Sequence, residues 1–260
     1  MIIVRSRKSV AEMVEMPIPN LSGEREHKIT YREWPIDTNN LRHREPLLCA
    51  NRCIAGENHY WVAKNPPVPG AIEELLVRRG VLFRLLGINH HLRRSGLELF
   101  VKDAWRPLVV QRHVENFAVV RRVKEAYQNL NEAEVRLEAK RYAAETPTSE
   151  EVAITKPPPH FTGGAVDLTL RKITGEEVAM GQSKGLIATA YPDALENNGT
   201  SLSIRQNRRL LYWTMTEAGF AANPTEWWHF SWGDQMWAKL TNSPHAFYGG
   251  VIVGGKQRFS

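Results

Sequence analysis

The sequence predicts an α+β domain, and three observations carry that prediction. Apolar residues recur at three- and four-residue steps in AIEELLVRRGVLFRLLG (71–87), and again through Val110, Val114, Phe117, Val120, Val123, Tyr127 and Leu130, as one buried helix face requires. LELFVK (97–102) alternates instead and reads as a strand, and EWWHF lies in a turn leading into a last strand. Between them lies PPPHFTGGAVDLTL (157–170), where a histidine follows three prolines, two glycines bend the chain, and Asp167 interrupts a strand-like apolar run.

The remaining elements follow in order. Residues 1–45 are highly charged and irregular, with PIPNLSGEREH (17–27) reading as loop, so they are expected to form an N-terminal extension packed on a catalytic domain of residues 46–260. KNPPVPG (64–70) leads into the first helix, and the strand Leu97 to Lys102 stops at Pro107. NEAEVRLEAKRYAAE (131–145) is a further helix, followed by the loop TPTSEE. The connection over 180–204 is long enough to suggest a functional role. NRRLLYWTMTEAGF (207–220) reads as a helix ending at Gly219, and NPTEWWHFSWGD (223–234) as a turn into a last strand.

Composition narrows the class. With 260 residues, 42% of them hydrophobic, the chain can bury a substantial core. No run approaches the ~18 apolar residues of a membrane span, and Arg5, Arg7 and Lys8 break the apolar start MIIV before it could serve as a signal peptide. A cytoplasmic chain with no membrane partner is expected. Thirty-four Lys and Arg against 28 Asp and Glu give +6, but the cations are scattered through amphipathic stretches such as AVVRRVKEAY (118–127). That pattern describes a solvated helix face, so no nucleic-acid partner is expected. Cys49 and Cys53, in CANRC, provide neither a disulfide framework nor a second ligand pair and read as free thiols.

The chemistry begins with Asp167. A carboxylate among Ala165, Val166, Leu168 and Leu170 is costly unless a cation, a metal or several donors compensate it. An arginine or a turn backbone would serve; so would a metal shared with His160, since imidazole and carboxylate together suit zinc. EWWHF sets Glu226 and His229 three residues apart among large aromatics, although by itself it also reads as a strand with two core tryptophans. If His229 joins His160 and Asp167, the metal has three protein ligands and an open fourth position, as in catalytic zinc sites. Glu226 is then a free carboxylate beside the metal, the general base that hydrolysis needs. In DAWRP (103–107), Pro107 holds Arg106 at a strand end, either to stabilise negative charge on a carbonyl oxygen or to pair with Asp103.

DAWRP, HFTGGAVDLTL, NRRLLYWTM, GF and EWWHFSWGDQMWA, in that order, resemble the zinc D-alanyl-D-alanine dipeptidases of vancomycin resistance and peptidoglycan turnover. The resemblance covers roughly 97–240 and implies a central antiparallel sheet flanked by helices, with the zinc site in a cleft on the sheet. It implies one Zn2+ on His160, Asp167 and His229, with Glu226 as base and acid and Arg106 stabilising the transition state. The implied substrate is a small D-amino-acid-containing peptide from cell-wall metabolism. Two departures concern the substrate's ammonium end: Pro158 stands where the family usually has serine, and Lys184 and Gly185 stand where an acid is expected. Asp193 or Glu196 could supply the missing charge. Otherwise the chain would act as a D,D- or L,D-carboxypeptidase on longer or N-blocked stem peptides. A zinc-bearing binding module without activity is the non-enzyme alternative, and retention of both Glu226 and Arg106 argues against it. The seven-residue step from His160 to Asp167 differs from the HxD spacing of non-haem iron oxygenases.

Overall fold

The computed structural model describes residues 8–253 except 63–65, 182–186, 197, 198 and 200, and describes only the backbone of 26–29, 187 and 188. Lys184 and Gly185 therefore lie outside the described residues. The chain begins with α1 (Val10–Glu15) and α2 (Ser22–His27). A two-stranded ribbon, β1 (Leu47–Cys49) and β2 (Leu76–Arg78), brackets the short α3 (His59–Val62). Then come α4 (Arg79–Arg93), β3 (Leu97–Asp103), α5 (Leu108–His113), α6 (Val119–Ala126), α7 (Glu132–Ala139) and α8 (Glu150–Thr155). β4 (Ala165–Lys172), α9 (Leu202–Glu217), β5 (Ala221–Ala222), β6 (His229–Ser231) and α10 (Gln235–Leu240) complete it. None of the described helices is long and apolar enough to cross a membrane.

The main sheet is antiparallel in the order β3-β4-β6-β5. Its register sorts the side chains by face, because successive strand residues point to opposite sides. Leu99 pairs with Leu170, Val101 with Leu168, and Val166 with Phe230, all buried against α4 and α9. Each fully buried aliphatic side chain contributes about 1.5–3 kcal/mol, so this face holds the sheet to its helices. Asp167 and Thr169 alternate with those residues and face the other way. The apolar run of β4 thus does not bury Asp167 in the core: it turns it onto the opposite face.

Three expectations need correction. The helix read over 71–87 starts only at Arg79, because Leu75 and Val77 are buried in strand alternation and Leu76–Arg78 pairs with β1. The stripe that includes Phe117 is broken by a π-helical turn at Val114–Ala118 between α5 and α6. That turn adds a residue, so burial passes from Val110 and Val114 to Val119 and Val123, while Phe117 is 64% exposed. Finally, Ser22–His27 is helical where the sequence reads as loop.

The N-terminal residues pack on the rest of the chain. Ser9 and Glu12 form a capping box that starts α1, whose Met13 is buried against α9. The loop acids hold the next stretch: Glu196 accepts the Ile18 N–H, and Asp193 accepts the Leu21 N–H and pairs with Arg25.

Candidate metal centre and active-site cleft

The backbone builds a row of polar residues across the sheet. A bulge between Val101 and Asp103 shifts β3 by one residue and brings Asp103 opposite Asp167, which itself pairs with His229 on β6. His160 reaches the same place from a 3-10 turn, Pro159–Thr162, closed by Gly163 at φ +70. The left-handed φ at Gly163 is what the turn needs glycine for; a Cβ there would also press on the Leu47 side chain, whose end can shift. The Arg106 N–H donates to the His160 carbonyl, stitching the end of β3 to this turn.

Three donor atoms converge. His160 Nε2 lies 3.2 Å from Asp167 Oδ1 and 3.0 Å from His229 Nδ1, and His229 Nδ1 lies 3.0 Å from Asp167 Oδ1. The outer ring nitrogens have partners of their own: His160 Nδ1 donates to the Ala104 carbonyl at 2.8 Å, and His229 Nε2 is 3.3 Å from Ser231 Oγ. With those protons placed outward, two imidazole lone pairs and a carboxylate oxygen face one another, an arrangement that demands a cation. Bonds of about 2.0–2.1 Å to a tetrahedral zinc would set ligand atoms roughly 3.3 Å apart, close to the separations seen. His160, Asp167 and His229 together could hold a metal ion.

The electrostatics agree. Burial pushes the Asp167 carboxyl up, but His160 and His229 hold it well below the usual carboxylate range, so it is ionised. Burial and Arg106 push His160 down, yet Asp167 and Asp103 raise it above an ordinary histidine. The cluster is thus a sink for positive charge, whether that charge is carried by a proton or by a metal.

Arg106 is buried beside it. Its Nε donates to Asp103 Oδ2 at 2.8 Å, Nη1 donates to Gln111 Oε1 at 2.8 Å, and Nη2 lies 3.5 Å from Asp167 Oδ2. The guanidinium also sits over the Tyr60 ring, 5.1 Å from its centroid. Burial disfavours the charge, but Asp103, Tyr60 and Asp167 raise its pKa, so it remains a cation. Arg106 thus pairs with Asp103, as one sequence reading has it, and also borders the cluster and the cleft.

Glu226 and His229 are joined by a turn in which the His229 N–H donates to the Glu226 carbonyl. Glu226 Oε2 stands 3.9 Å from His229 Nδ1 and accepts from Asn223 Nδ2 at 2.6 Å. Glu226, Arg106, His160, Asp167 and His229 all line one cleft of about 590 Å3, within the usual range for a small-molecule site.

Of the residues read at the substrate's ammonium end, Pro158, Asp193 and Glu196 are among the described residues, and none of them lines the cleft. Pro159 lines the cleft and Pro158 does not; Pro158 is buried, and its carbonyl accepts the Phe161 N–H. Asp193 and Glu196 are taken up by Arg25, Arg209 and the N-terminal backbone, so neither supplies the missing charge. Sequence reasoning missed Asp103 as a member of the polar row, along with Tyr60, Gln111, Asn223 and Ser231. Only the bulge in β3 could have revealed the first.

The family model described as D-ala-D-ala dipeptidase matches residues 70–247. The chain belongs to that family. It is 33% identical over 204 residues, 68% of this chain and 79% of the relative, to a D-alanyl-D-alanine dipeptidase of Synechocystis sp.. A second D-alanyl-D-alanine dipeptidase, from Enterococcus faecium, is 40% identical over 77 residues, covering 29% of this chain and 37% of the relative. As a member of this family the chain is a metal-dependent peptidase of small peptides.

Proposed function

We propose that the chain is a zinc-dependent dipeptidase of cell-wall peptide metabolism that hydrolyses D-alanyl-D-alanine or a peptide ending in it. His160, Asp167 and His229 would hold the zinc, in a catalytic domain of residues 46–260 with 1–45 packed on it as an extension. The observation that carries the reading is the convergence of three buried donors, 3.0–3.2 Å apart, in the cleft that also holds Glu226 and Arg106. The free thiols Cys49 and Cys53 support a reducing, cytoplasmic location.

When bound, zinc acts as a Lewis acid and lowers the pKa of coordinated water to about 7. Glu226, steadied by Asn223, takes a proton from the attacking water and returns it to the nitrogen of the scissile bond. A C–O bond forms, the C–N bond breaks, and both protons of the water end on the leaving nitrogen, so the products are a carboxylate and an ammonium. Arg106 is held in plane by Asp103 and Gln111 and donates to the carbonyl oxygen as charge builds there. Because the fixed guanidinium needs no reorganisation, the interaction strengthens in the transition state.

A carboxypeptidase acting on longer or N-blocked peptides is the second reading. It is favoured by the engagement of Asp193 and Glu196 elsewhere, which leaves neither of them for a free ammonium. A mass-spectrometric panel of D,D-, L,D- and L,L-dipeptides beside stem tetra- and pentapeptides tests both. Cleavage of L,L-dipeptides alone would overturn both.

A further inference from the structure

Past Tyr31 the cleft adjoins a second chamber of about 350 Å3, and Tyr31, Ala143 and Ala144 are common to the walls of both. Tyr31 belongs to the 3-10 turn Lys28–Glu33, outside the family match that begins at residue 70. It is 5% exposed, and its buried hydroxyl has no hydrogen-bond partner among the described residues. Packing alone does not call for a hydroxyl there, because phenylalanine would fill the same space without leaving a polar group unsatisfied. The wall is also linked to the cluster: Gln111 Nε2 donates to the Ala144 carbonyl at 2.7 Å, and Gln111 Oε1 accepts from Arg106.

The second chamber is cationic. Arg32, Arg136, Lys140 and Arg141 line it against Glu115 and Glu145. Glu115 is already engaged, accepting the Thr146 N–H at 2.9 Å. Lys140 lies 3.9 Å from Glu145 and Arg136 lies 3.8 Å from Glu132, all four side chains being more than half exposed. Such long, solvated pairs contribute little, so these cations can turn toward a ligand's carboxylate at small cost.

We propose that this chamber is a subsite for a carboxylate borne by the substrate beyond its cleaved D,D-dipeptide unit, with the Tyr31 hydroxyl meeting the peptide at the constriction. The inference rests on the proposed peptidase reading and narrows it: the preferred substrate is an anionic, N-substituted peptide. It also accounts for Asp193 and Glu196 being engaged elsewhere, since an acylated amino end carries no ammonium to recognise.

The test uses the zinc-loaded enzyme and two nearly isosteric peptides, N-succinyl-D-alanyl-D-alanine and the same peptide with its succinyl carboxylate converted to the amide. The carboxylate form should be favoured about tenfold in kcat/KM, mainly through KM. The preference should shrink at high salt and fall close to one in an Arg136→Gln, Lys140→Gln double variant. Tyr31→Phe should raise KM for both acyl peptides with kcat nearly unchanged. Equal kcat/KM for the two peptides, or a preference that survives the double variant, overturns the subsite. Calorimetric titration of both peptides into zinc-loaded Glu226→Gln protein reads the same preference without turnover. Preferential binding of the carboxylate form to an enzyme that cleaves neither peptide would overturn the peptidase reading and leave the subsite standing, whereas equal binding would overturn the subsite alone.

Discussion

Oδ1 of Asp167 and Nδ1 of His229 lie 3.0 Å apart because the two residues are register partners on β4 and β6. Their meeting is fixed by backbone pairing in the sheet rather than by a loop. A one-residue slip of either strand would turn its member toward the core and dismantle the cluster. The same register places Asp103 beside them, so the positions of two candidate ligands and of Arg106's anchor follow from one set of ladder hydrogen bonds.

Metal content is the first consequence. Purified protein should carry about one zinc per chain, and His160→Ala, Asp167→Ala or His229→Ala should each lower both zinc content and activity. Elemental analysis beside peptide turnover checks this. Full zinc occupancy in a His160→Ala, His229→Ala double variant would remove the assignment.

Glu226 should separate from the ligands. Glu226→Gln keeps the shape and the hydrogen-bonding reach of the side chain but cannot accept the proton, so turnover should fall by about 10²- to 10⁴-fold with zinc retained. Loss of zinc in that variant would make Glu226 a ligand instead, and unchanged turnover would place the base elsewhere.

Asp103 tests the support of Arg106. Both are buried, with Nη2 of Arg106 2.6 Å from Asp103 Oδ2. Asp103→Ala leaves a buried guanidinium with one principal anion fewer, and breaking such a pair costs about 3–5 kcal/mol. Thermal unfolding should register that loss, and kcat should fall with it because Arg106 is no longer held in plane. A stable variant with unchanged kcat would show that Gln111 and Asp167 suffice to hold Arg106.

What the sequence made legible, and what it did not, follows from the range of each interaction. His160 with Asp167, and Glu226 with His229, are local spacings of chemically marked residues, and all four line the same cleft. The alternation that hides Leu168 and Leu170 is local too, and it places Asp167 on the cleft face. Asp103's place in the row depends on a bulge, and Phe117's exposure on a π-helical turn, both set by tertiary packing that periodicity does not encode. The N-terminal partners of Asp193 and Glu196, at Ile18, Leu21 and Arg25, are more than 160 residues away in sequence, and no local pattern announces them.

The last prediction concerns that N-terminal attachment. Glu196 accepts the Ile18 N–H at 2.9 Å and pairs with Arg209, whose Nη2 lies 2.5 Å from Oε2. Burial pushes the Glu196 carboxyl up, but Arg209 and the Ile18 N–H draw it below its ordinary value. A carboxyl depressed in the folded state contributes stability that is fully present above its unfolded pKa of about 4.3 and is lost as pH falls through the lower, folded value. The Ile18 amide should therefore remain protected from hydrogen exchange from neutral pH down past the ordinary glutamate range, and lose protection only below it. Glu196→Gln removes the charged acceptor, and hydrogen bonds to charged groups contribute about 1.5–3 kcal/mol, so Ile18 protection at neutral pH should drop at least tenfold. Leu21, held by Asp193, should keep more of its protection in the same variant. Equal loss at both amides would mean that Glu196 and Asp193 hold the segment as one cooperative unit, and no loss at either would show that α1 packing on α9 anchors it without them.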